Sequence, residues 1–238
     1  MRGGRGRCYS AAVRLIGAGR DAELFDLGGG RVLRRPRRPR PMDAEAAFMG
    51  RVRAAGYPAP EVFEVRPDGL VMERLEGPTM LDDLAAHPWR VGRHARTLAE
   101  LHVRLHRIAA EDGLPGPFGA PVAGDVLVHG DLHPDNVVLA SSGPVVIDWT
   151  NGGRGPAGAD VADAWLVMAG AQPPPGRLAP ALVGLLRHRL LAVFLAHAGR
   201  EEAERHLRTA ARRRMASPSL QEAEKAAMQR VADVHGRR

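Results

Sequence analysis

The sequence predicts an α+β fold in which a small antiparallel sheet with one helix is followed by a larger, mainly helical part. Residues 11–76 contain five short runs of apolar and β-branched residues, separated by turns rich in Gly, Pro and Asp. From residue 77 onward, apolar residues recur at helical spacing in several long stretches. At 238 residues, the chain can bury a real core as one large domain or as two small lobes.

The first part of the chain alternates strand and turn signals. We predict strands at 13–16, 23–27, 31–35, 58–65 and 70–75. Gly17 and Gly19 lie in the first turn, where glycine would let backbone N–H groups approach phosphate oxygens. Two glycines would equally serve any hairpin, so both interpretations stay open. The last strand ends at Glu76-Gly77, which has the composition of a hinge.

One predicted helix in this part carries a carboxylate on its apolar face. We place the helix at 44–55, capped by Asp43 and ended by Gly56. Helical spacing puts Glu45 on one face with three apolar residues, Phe48, Met49 and Val52. Such a carboxylate is costly unless it is paired, and Arg34 in the third strand is the partner that we predict. In the alternative, Glu45 merely complements the helix dipole.

The segment with the most chemical content is His129-Gly-Asp-Leu-His-Pro-Asp-Asn136, followed by Val145-Val-Ile-Asp-Trp149. Its apolar, β-branched flanks predict brief buried strands at 126–128, 137–139 and 145–147. A turn at 141–144 reverses the chain and brings Asp148 beside the first loop. Asn136 follows Asp131 by five positions, which is the spacing of the catalytic loop in kinases.

These residue types fit the transfer of a γ-phosphoryl group. That reaction needs one carboxylate to take the proton of the acceptor hydroxyl, and hard oxygen ligands to hold Mg²⁺ over the phosphates. We therefore assign Asp131 as the candidate base and Asn136 and Asp148 as the candidate metal ligands. The competing interpretation is a polar hairpin surface. The complete spacing, with Asp148 twelve residues after Asn136, favours the catalytic interpretation.

On these motifs, the chain resembles the aminoglycoside phosphotransferase and choline kinase-like family. The resemblance runs from about Leu15 to about Gly170 and is strongest over 127–163. Members of this family are small-molecule kinases with the two-lobed fold of protein kinases. The resemblance implies a nucleotide-binding lobe at 11–76 and a catalytic and acceptor-binding lobe at 77–238. It also implies ATP or GTP and Mg²⁺ as cofactors, and a small-molecule hydroxyl as acceptor.

The resemblance further implies roles for residues outside the catalytic loop. Arg34 takes the place of the lysine that usually holds the nucleotide phosphates, positioned there by Glu45. Its planar guanidinium can bind phosphate bidentately but is not equivalent to an ammonium. Glu73 and Leu75 belong to the segment whose backbone would read the adenine edge. Asp160 would brace the catalytic loop by accepting hydrogen bonds from its backbone N–H groups.

Several helices are expected after the hinge, the first a short one capped by Thr79. The others are predicted at 91–110, 157–169, 178–198, 200–215 and 219–235. The helix at 91–110 should turn four residues inward, Leu98, Leu101, Leu105 and Ile108. The helix at 178–198 should bury a stripe of five apolar residues, Leu182, Leu185, Leu186, Val193 and Phe194.

Three further polar residues have competing interpretations. We interpret His102 as a satisfied core histidine rather than a catalytic one. His133 would either orient Asp131 or anchor the loop by a backbone hydrogen bond. Asp163 is interpreted as a first-turn helix charge and is left out of the site.

Composition and charge argue against nucleic-acid binding, disulfide formation and a membrane span. The net charge of +7 invites a nucleic-acid interpretation, which we discount because the cations are spread along the chain and aromatic residues make up only 4% of it. Cys8 is the only cysteine, so no intrachain disulfide is possible and a cytoplasmic location is expected. No uncharged apolar run reaches the length of a membrane span, and residues 1–10 are predicted to form a disordered arm.

The acceptor and even the activity remain open at this point. An aminoglycoside, a sugar, an amino alcohol or another metabolite would each suit the family, and acidic Glu201, Glu202 and Glu204 are interleaved with arginines. A catalytically silent, kinase-like protein that binds nucleotide or a partner is the alternative. The absent lysine favours that alternative, whereas the intact Asp131, Asn136 and Asp148 oppose it. The sequence does not predict the oligomeric state.

Overall fold

A five-stranded antiparallel sheet in the order β1-β2-β3-β5-β4 forms the first part of the chain. We describe a computed structural model, within which the residues described are 14–19, 21–117, 124–171, 180–216 and 220–236. The five strands are β1 (Arg14–Ala18), β2 (Ala22–Gly28), β3 (Arg31–Pro36), β4 (Val62–Arg66) and β5 (Gly69–Glu73). All five predicted strands are therefore present, although β1 continues through Gly17, where a bulge shifts its register against β2.

The central strand β3 places Arg34 opposite Leu24 on one side and Leu70 on the other. The backbone of β5 approaches β3 very closely at Gly69, since a Cβ there would lie 2.2 Å from the Arg34 carbonyl oxygen. Only glycine permits this approach. The register of the sheet therefore fixes where the Arg34 side chain leaves the strand.

One helix, α1 (Asp43–Ala54), packs between this sheet and the rest of the molecule. Four of its residues are buried, Glu45, Phe48, Met49 and Val52, as their spacing predicts. The predicted cap is wrong: Asp43 is the first helical residue, and Met42 occupies the N-cap without a side-chain hydrogen bond. Asp43 therefore acts only as a negative charge in the first turn.

Six helices make up most of the remaining described residues. They are α2 (Met80–Ala86), α3 (Val91–Leu105), α4 (Ala157–Gly170), α5 (Pro180–Ala198), α6 (Arg200–Met215) and α7 (Glu222–His235). Thr79 caps α2 as predicted, because its side chain accepts a hydrogen bond from the backbone N–H of Asp82 at 3.1 Å. Helix α3 ends five residues before the predicted boundary, so Ile108 packs on the core from the following loop.

Between α3 and α4 lie two short ladders, β6 (Val126–Val128) with β9 (Gly153–Gly155) and β7 (Val137–Ala140) with β8 (Gly143–Val146). Trp149 follows β8 and is fully buried. Its ring packs 5.7 Å from the rings of both Phe48 and Tyr57. One continuous apolar core therefore joins α1 to the segment that follows β8. This architecture confirms the predicted α+β fold.

The apolar stripe predicted on α5 is wrong at its N-terminal end. Leu185 is 64% exposed and Leu182 is 39% exposed, whereas Leu190, Phe194 and Leu195 are buried. Among the described residues, α5 is also the one helix whose length and composition would suffice to cross a membrane. It packs against α3 and α4, and Arg187 and Arg189 lie within it.

Candidate active site

The two loops predicted to carry the chemistry are joined by hydrogen bonds. The loop from His129 to Asn136 connects β6 to β7, and Asp148 follows β8 after Ile147. The backbone N–H of Ile147 donates to the Asn136 carbonyl oxygen at 3.0 Å. The side chain of His129 contacts the Ile147 carbonyl oxygen, also at 3.0 Å. The predicted pairing of the two loops is therefore a feature of the structure.

His129 is a neutral structural residue. Its Nδ1 accepts from the Asp131 backbone N–H at 3.2 Å, which assigns the ring proton to Nε2, the donor to Ile147. The ring is completely buried and packs 4.6 Å from the ring of Trp149. Burial lowers the pKa of His129 below its usual value. His129 therefore connects the two loops without carrying a charge.

Asp160 in α4 holds the backbone of the loop from His129 to Asn136. Its two carboxylate oxygens accept hydrogen bonds from the backbone N–H groups of Gly130 at 2.6 Å and His129 at 3.2 Å. His106 contacts the same carboxylate at 2.9 Å. Burial opposes ionisation, but His106 and the other hydrogen bonds hold the pKa of Asp160 well below its usual value. Asp160 is thus an ionised anchor for two consecutive peptide groups.

Asp131 sits at the centre of the loop and contacts a cation that the sequence did not predict. Its Oδ1 accepts from Arg214 of α6 at 2.6 Å, and its Oδ2 lies 3.7 Å from His133 Nε2. Burial alone would raise the pKa of Asp131, but His133 and Arg214 together hold that pKa well below its usual value. The carboxylate is therefore ionised and half-buried.

His133 makes both of the contacts that were proposed for it, one with the loop backbone and one with Asp131. Its Nδ1 accepts from the backbone N–H of Asp135 at 3.3 Å, which anchors the loop. Its Nε2 faces Asp131 and also lies 3.3 Å from Asn136 Nδ2. The ring thus spans the space between the candidate base and a candidate metal ligand.

Asn136 and Asp148 are each held by hydrogen bonds at one of their two side-chain polar atoms, Nδ2 of Asn136 and Oδ1 of Asp148. The amide Nδ2 of Asn136 donates to the Asp131 carbonyl oxygen at 2.9 Å, so its Oδ1 is directed away from that bond. Asp148 Oδ1 contacts Arg34 at 2.8 Å and Thr150 at 2.7 Å. Asp148 also holds a left-handed backbone conformation, with φ 61° and ψ 68°, which is uncommon for a residue other than glycine.

Arg34 is buried and joins β3, α1 and the Asp148 loop. It contacts Glu45 at 2.9 Å, as the sequence predicts, and reaches Thr150 at 3.1 Å as well as Asp148. Glu45 is paired a second time, with Arg40 at 2.6 Å. The loop between β3 and α1 therefore contributes one cation, Arg40, to this cluster. Two guanidinium groups and two carboxylates balance each other there.

Four further residues were predicted to contact the nucleotide, namely Gly17, Gly19, Glu73 and Leu75. Gly17 lies within β1 and Gly19 in the turn after it, and neither needs glycine for space or for backbone conformation. The Gly19 N–H already donates to the Ala22 carbonyl oxygen at 2.8 Å. The Glu73 N–H donates to the Glu61 carbonyl oxygen at 2.8 Å. Leu75 is partly exposed and lies two residues after the end of β5.

Three residues near Asp131 were missed by the sequence reasoning: Asp163, Arg213 and Arg214. Asp163, taken for a first-turn helix charge, is buried in α4 and contacts both Arg213 and Arg214 of α6. Its position three residues after Asp160 places it on the same helix face, and this was the only signal available. By contrast, the acidic residues at the start of α6 pair among their neighbours, Glu202 with Arg205 and Glu204 with Arg200.

No group of three or more His, Cys, Asp or Glu side chains suited to a metal occurs within the described part of the chain. Mg²⁺ does not need one, since it keeps several waters and binds proteins through one or two carboxylates and substrate phosphates. One carboxylate and one amide oxygen, as supplied by Asp148 and Asn136, fit this chemistry.

Comparisons with known proteins bear on the family and the fold of the chain. A "probable serine/threonine-protein kinase BUD32 homolog" of Archaeoglobus fulgidus is 32% identical over 106 residues, which cover 44% of this chain and 42% of that protein. The chain thus spans less than half of this curated relative.

Solved structures show the same fold at low identity. The complex of gentamicin with APH(2'')-IIa has a TM-score of 0.58 at 13% identity, covering 84% of this chain and 82% of that chain. The same protein with streptomycin and ATP gives a TM-score of 0.52 at 14% identity, with the same coverage of both chains. A choline/ethanolamine kinase family protein from Mesorhizobium loti gives 0.55 at 15% identity, covering 95% and 90%. The fold is therefore the two-lobed, protein-kinase-like fold that the motifs implied.

The family model described as "Phosphotransferase enzyme family" (APH) matches residues 12–125 and 119–195. These matches include the Arg34–Glu45 pair, both loops of the candidate site and the bracing Asp160. They cover well over half of the chain, which therefore belongs to the phosphotransferase enzyme family.

Proposed function

We propose that the chain is a Mg²⁺-dependent phosphotransferase that moves the γ-phosphate of ATP or GTP to a hydroxyl of a small molecule. The observation that carries this proposal is the hydrogen-bonded pairing of the Asp131–Asn136 loop with the Asp148 loop. Membership of the phosphotransferase family supports it. So does the complex of a solved relative with both ATP and streptomycin.

Asn136 Oδ1 and Asp148 would hold Mg²⁺, which would supply positive charge to stabilise the transition state of phosphoryl transfer. Both side chains are already oriented, Asn136 by the Asp131 carbonyl oxygen and Asp148 by Thr150. Such preorganisation means that little rearrangement is needed when the nucleotide binds.

Arg34 would contact the nucleotide phosphates. Its guanidinium is held by Glu45 on one side and points toward Asp148 on the other, which places a buried cation beside the candidate metal ligand. A guanidinium can bind two phosphate oxygens at once. The nucleotide would then lie between the residues 11–76 and 77–238, with Gly17, Gly19, Glu73 and Leu75 as further contacts that we retain as proposals.

Asp131 would act as the base. The acceptor hydroxyl gives its proton to the carboxylate, a bond forms between the acceptor oxygen and the γ-phosphorus, and the bond from that phosphorus to the β-γ bridging oxygen breaks. The products are the phosphorylated acceptor and the nucleoside diphosphate. Because the transition state is loose, a carboxylate of low pKa serves mainly by orienting the hydroxyl and by taking its proton late.

The acceptor we propose is a small hydroxylated molecule, and the acidic residues of α6 do not mark it as a polycation. The acidic residues at the start of α6 are paired, and about 18 Å of helix separates Glu202 from Arg214 at the end that reaches Asp131. Arg213 and Arg214 therefore lie at the catalytic end. The curated and solved relatives include kinases for different acceptors, so fold alone does not choose one.

A screen of hydroxylated metabolites with Mg²⁺ and ATP or GTP tests this proposal, read out as nucleoside diphosphate release and as a phosphorylated product. The expected result is turnover with at least one acceptor, which Asp131→Asn lowers by roughly 10²–10⁴-fold while nucleotide affinity changes little. Asp135→Asn, an exposed aspartate in the same loop, should leave the rate unchanged. Unaltered turnover in Asp131→Asn would remove Asp131 from the mechanism.

The alternative is a silent, kinase-like nucleotide binder, and the ion pair between Arg34 and Asp148 favours it because a cation already occupies one carboxylate oxygen. Nucleotide-dependent thermal stabilisation without turnover of any acceptor would select this alternative. If nucleotide causes no thermal stabilisation and no acceptor is turned over, both the phosphotransferase and the silent nucleotide binder are rejected.

A further inference from the structure

Helix α6 ends beside the catalytic loop, and its last turn contacts the candidate base. Arg214 Nη2 donates to Asp131 Oδ1 at 2.6 Å and to the Gly130 carbonyl oxygen at 3.0 Å. Arg214 Nε donates to Asp163 Oδ1 at 3.2 Å. One guanidinium therefore joins α4, α6 and the catalytic loop. It contacts the loop through one backbone and one side-chain oxygen.

The peptide groups around Gly130 are held from both sides. The Gly130 N–H donates to Asp160, whereas its carbonyl oxygen accepts from Arg214. Gly130 has a φ of +74°, and a Cβ there would lie 2.9 Å from the Asn151 carbonyl oxygen, so no other residue type fits. Asp160 and Asp163 are one helical turn apart on α4. The same helix face thus holds the loop directly through Asp160 and indirectly through Asp163 and Arg214.

Two cations and two carboxylates compensate one another here, namely Arg213, Arg214, Asp131 and Asp163. The Arg214 side chain is only 9% exposed and Asp163 is 1% exposed, so neither ion would be stable there alone. Burial opposes the charge of Arg214, but Asp163 and then Asp131 raise its pKa. Arg213 supplies a second cation to Asp163. Arg214 is therefore not a surface cation that happens to reach the loop.

From these contacts we propose that Arg214, held by Asp163, is a positioning residue that fixes the carboxylate of Asp131 for the acceptor. Its contact with Oδ1 leaves Oδ2, on the side of His133, as the oxygen that receives the acceptor hydroxyl. A fixed carboxylate presents that oxygen in one orientation, and such orientation contributes strongly to rate. This inference rests on the proposed function, because it assigns Asp131 the role of base.

Chemical rescue tests the proposal. Arg214→Ala should lower kcat by ~10²-fold while the KM for nucleotide changes little, because only the orientation of Asp131 is lost. Millimolar guanidinium, which fits the space vacated by the side chain, should restore part of kcat; ammonium at the same ionic strength should not. The kcat of Arg214→Lys should lie between the values of the wild type and Arg214→Ala, since an ammonium cannot contact all three partners at once.

Two controls make the result specific. Arg205→Ala removes an exposed arginine on the same helix that contacts Glu201 and Glu202, and it should leave kcat unchanged and show no guanidinium effect. In a double-mutant cycle, Asp163→Asn combined with Arg214→Ala should lose no more activity than Arg214→Ala alone, because the two residues act as one unit.

An activity-independent measurement separates this inference from the proposed function. Low concentrations of guanidinium should raise the melting temperature of Arg214→Ala but not that of the wild type or of Arg205→Ala. If guanidinium stabilises Arg214→Ala in this way but the wild type turns over no acceptor, the contacts of Arg214 are supported and the phosphotransferase is rejected. A folded Arg214→Ala with wild-type kcat, or with a loss that neither guanidinium nor lysine restores, would overturn the role of Arg214.

Discussion

Replacing Asp160 by asparagine should destabilise the chain strongly although it exchanges only one side-chain oxygen for an NH₂ group. The carboxylate accepts from the backbone N–H groups of Gly130 and His129 and contacts His106. An asparagine has one oxygen, so it keeps the hydrogen bond to either Gly130 or His129. At the other position its NH₂ group faces a donor that has lost its acceptor.

The expected cost follows from these contacts. Hydrogen bonds to a charged group contribute about 1.5–3 kcal/mol each, and at least one of them is lost. The buried donor that remains adds about 1–3 kcal/mol, and relief from burying the carboxylate charge offsets part of the total. We therefore expect the free energy of unfolding to fall by about 2–4 kcal/mol. Because the pKa of Asp160 is held well below its usual value, this difference should be constant above about pH 5.

Denaturant unfolding at neutral pH, followed by circular dichroism, measures this change as a shift in the midpoint at constant slope. Asp135→Asn is the matched control: it removes one negative charge from the same loop at an exposed position and should cost less than about 0.5 kcal/mol. A similarly small cost for Asp160→Asn would refute the reasoning, since it would mean that the two peptide groups do not depend on the carboxylate.

Two further predictions address the core and the phosphate end of the site. Burial lowers the pKa of His102 from 6.5 to about 4, so its contribution to stability is present above pH 6.5 and about 3 kcal/mol is lost as the pH falls toward 4. His102→Leu should reduce this pH dependence in unfolding experiments, leaving the part due to His129; an unchanged dependence would contradict the assignment. Glu45→Gln should lower the free energy of unfolding by about 2 kcal/mol and weaken ATP binding, because Arg34 and Arg40 lose their shared carboxylate. Calorimetric titration of ATP and denaturant unfolding measure the two changes. Asp43→Asn on the same helix is the control and should have little effect in either assay. If Glu45→Gln and Asp43→Asn changed stability and ATP binding equally, the role of Glu45 would be contradicted.

Much of this site was predictable because its signals are local. Helical spacing alone placed Glu45 on a buried face, and the cost of an unpaired carboxylate pointed to Arg34. The spacing of Asp131 and Asn136 predicted one loop, and the turn after β7 predicted its neighbour with Asp148. In each case the residues are close in sequence or are constrained by a strand pair.

The contacts that were missed lie far apart along the chain. Arg214 follows Asp131 by 83 positions, and no periodicity links a charged helix end to a loop so distant. Helix α5 was misjudged for a different reason. It is apolar on nearly all sides, so its pattern does not reveal that Phe194 faces the core while Leu185 is exposed.

The central claim is that Asn136 and Asp148 bind one Mg²⁺ together with a nucleotide. Calorimetric titration of ATP into wild type, Asp148→Asn and the control Asp135→Asn, an exposed aspartate of the neighbouring loop, each with Mg²⁺ and with EDTA, tests it most directly. The claim predicts that Mg²⁺ strengthens ATP binding ~10-fold or more, about 1.4 kcal/mol, in wild type and Asp135→Asn but not in Asp148→Asn. The same Mg²⁺ dependence in Asp148→Asn as in wild type would contradict it.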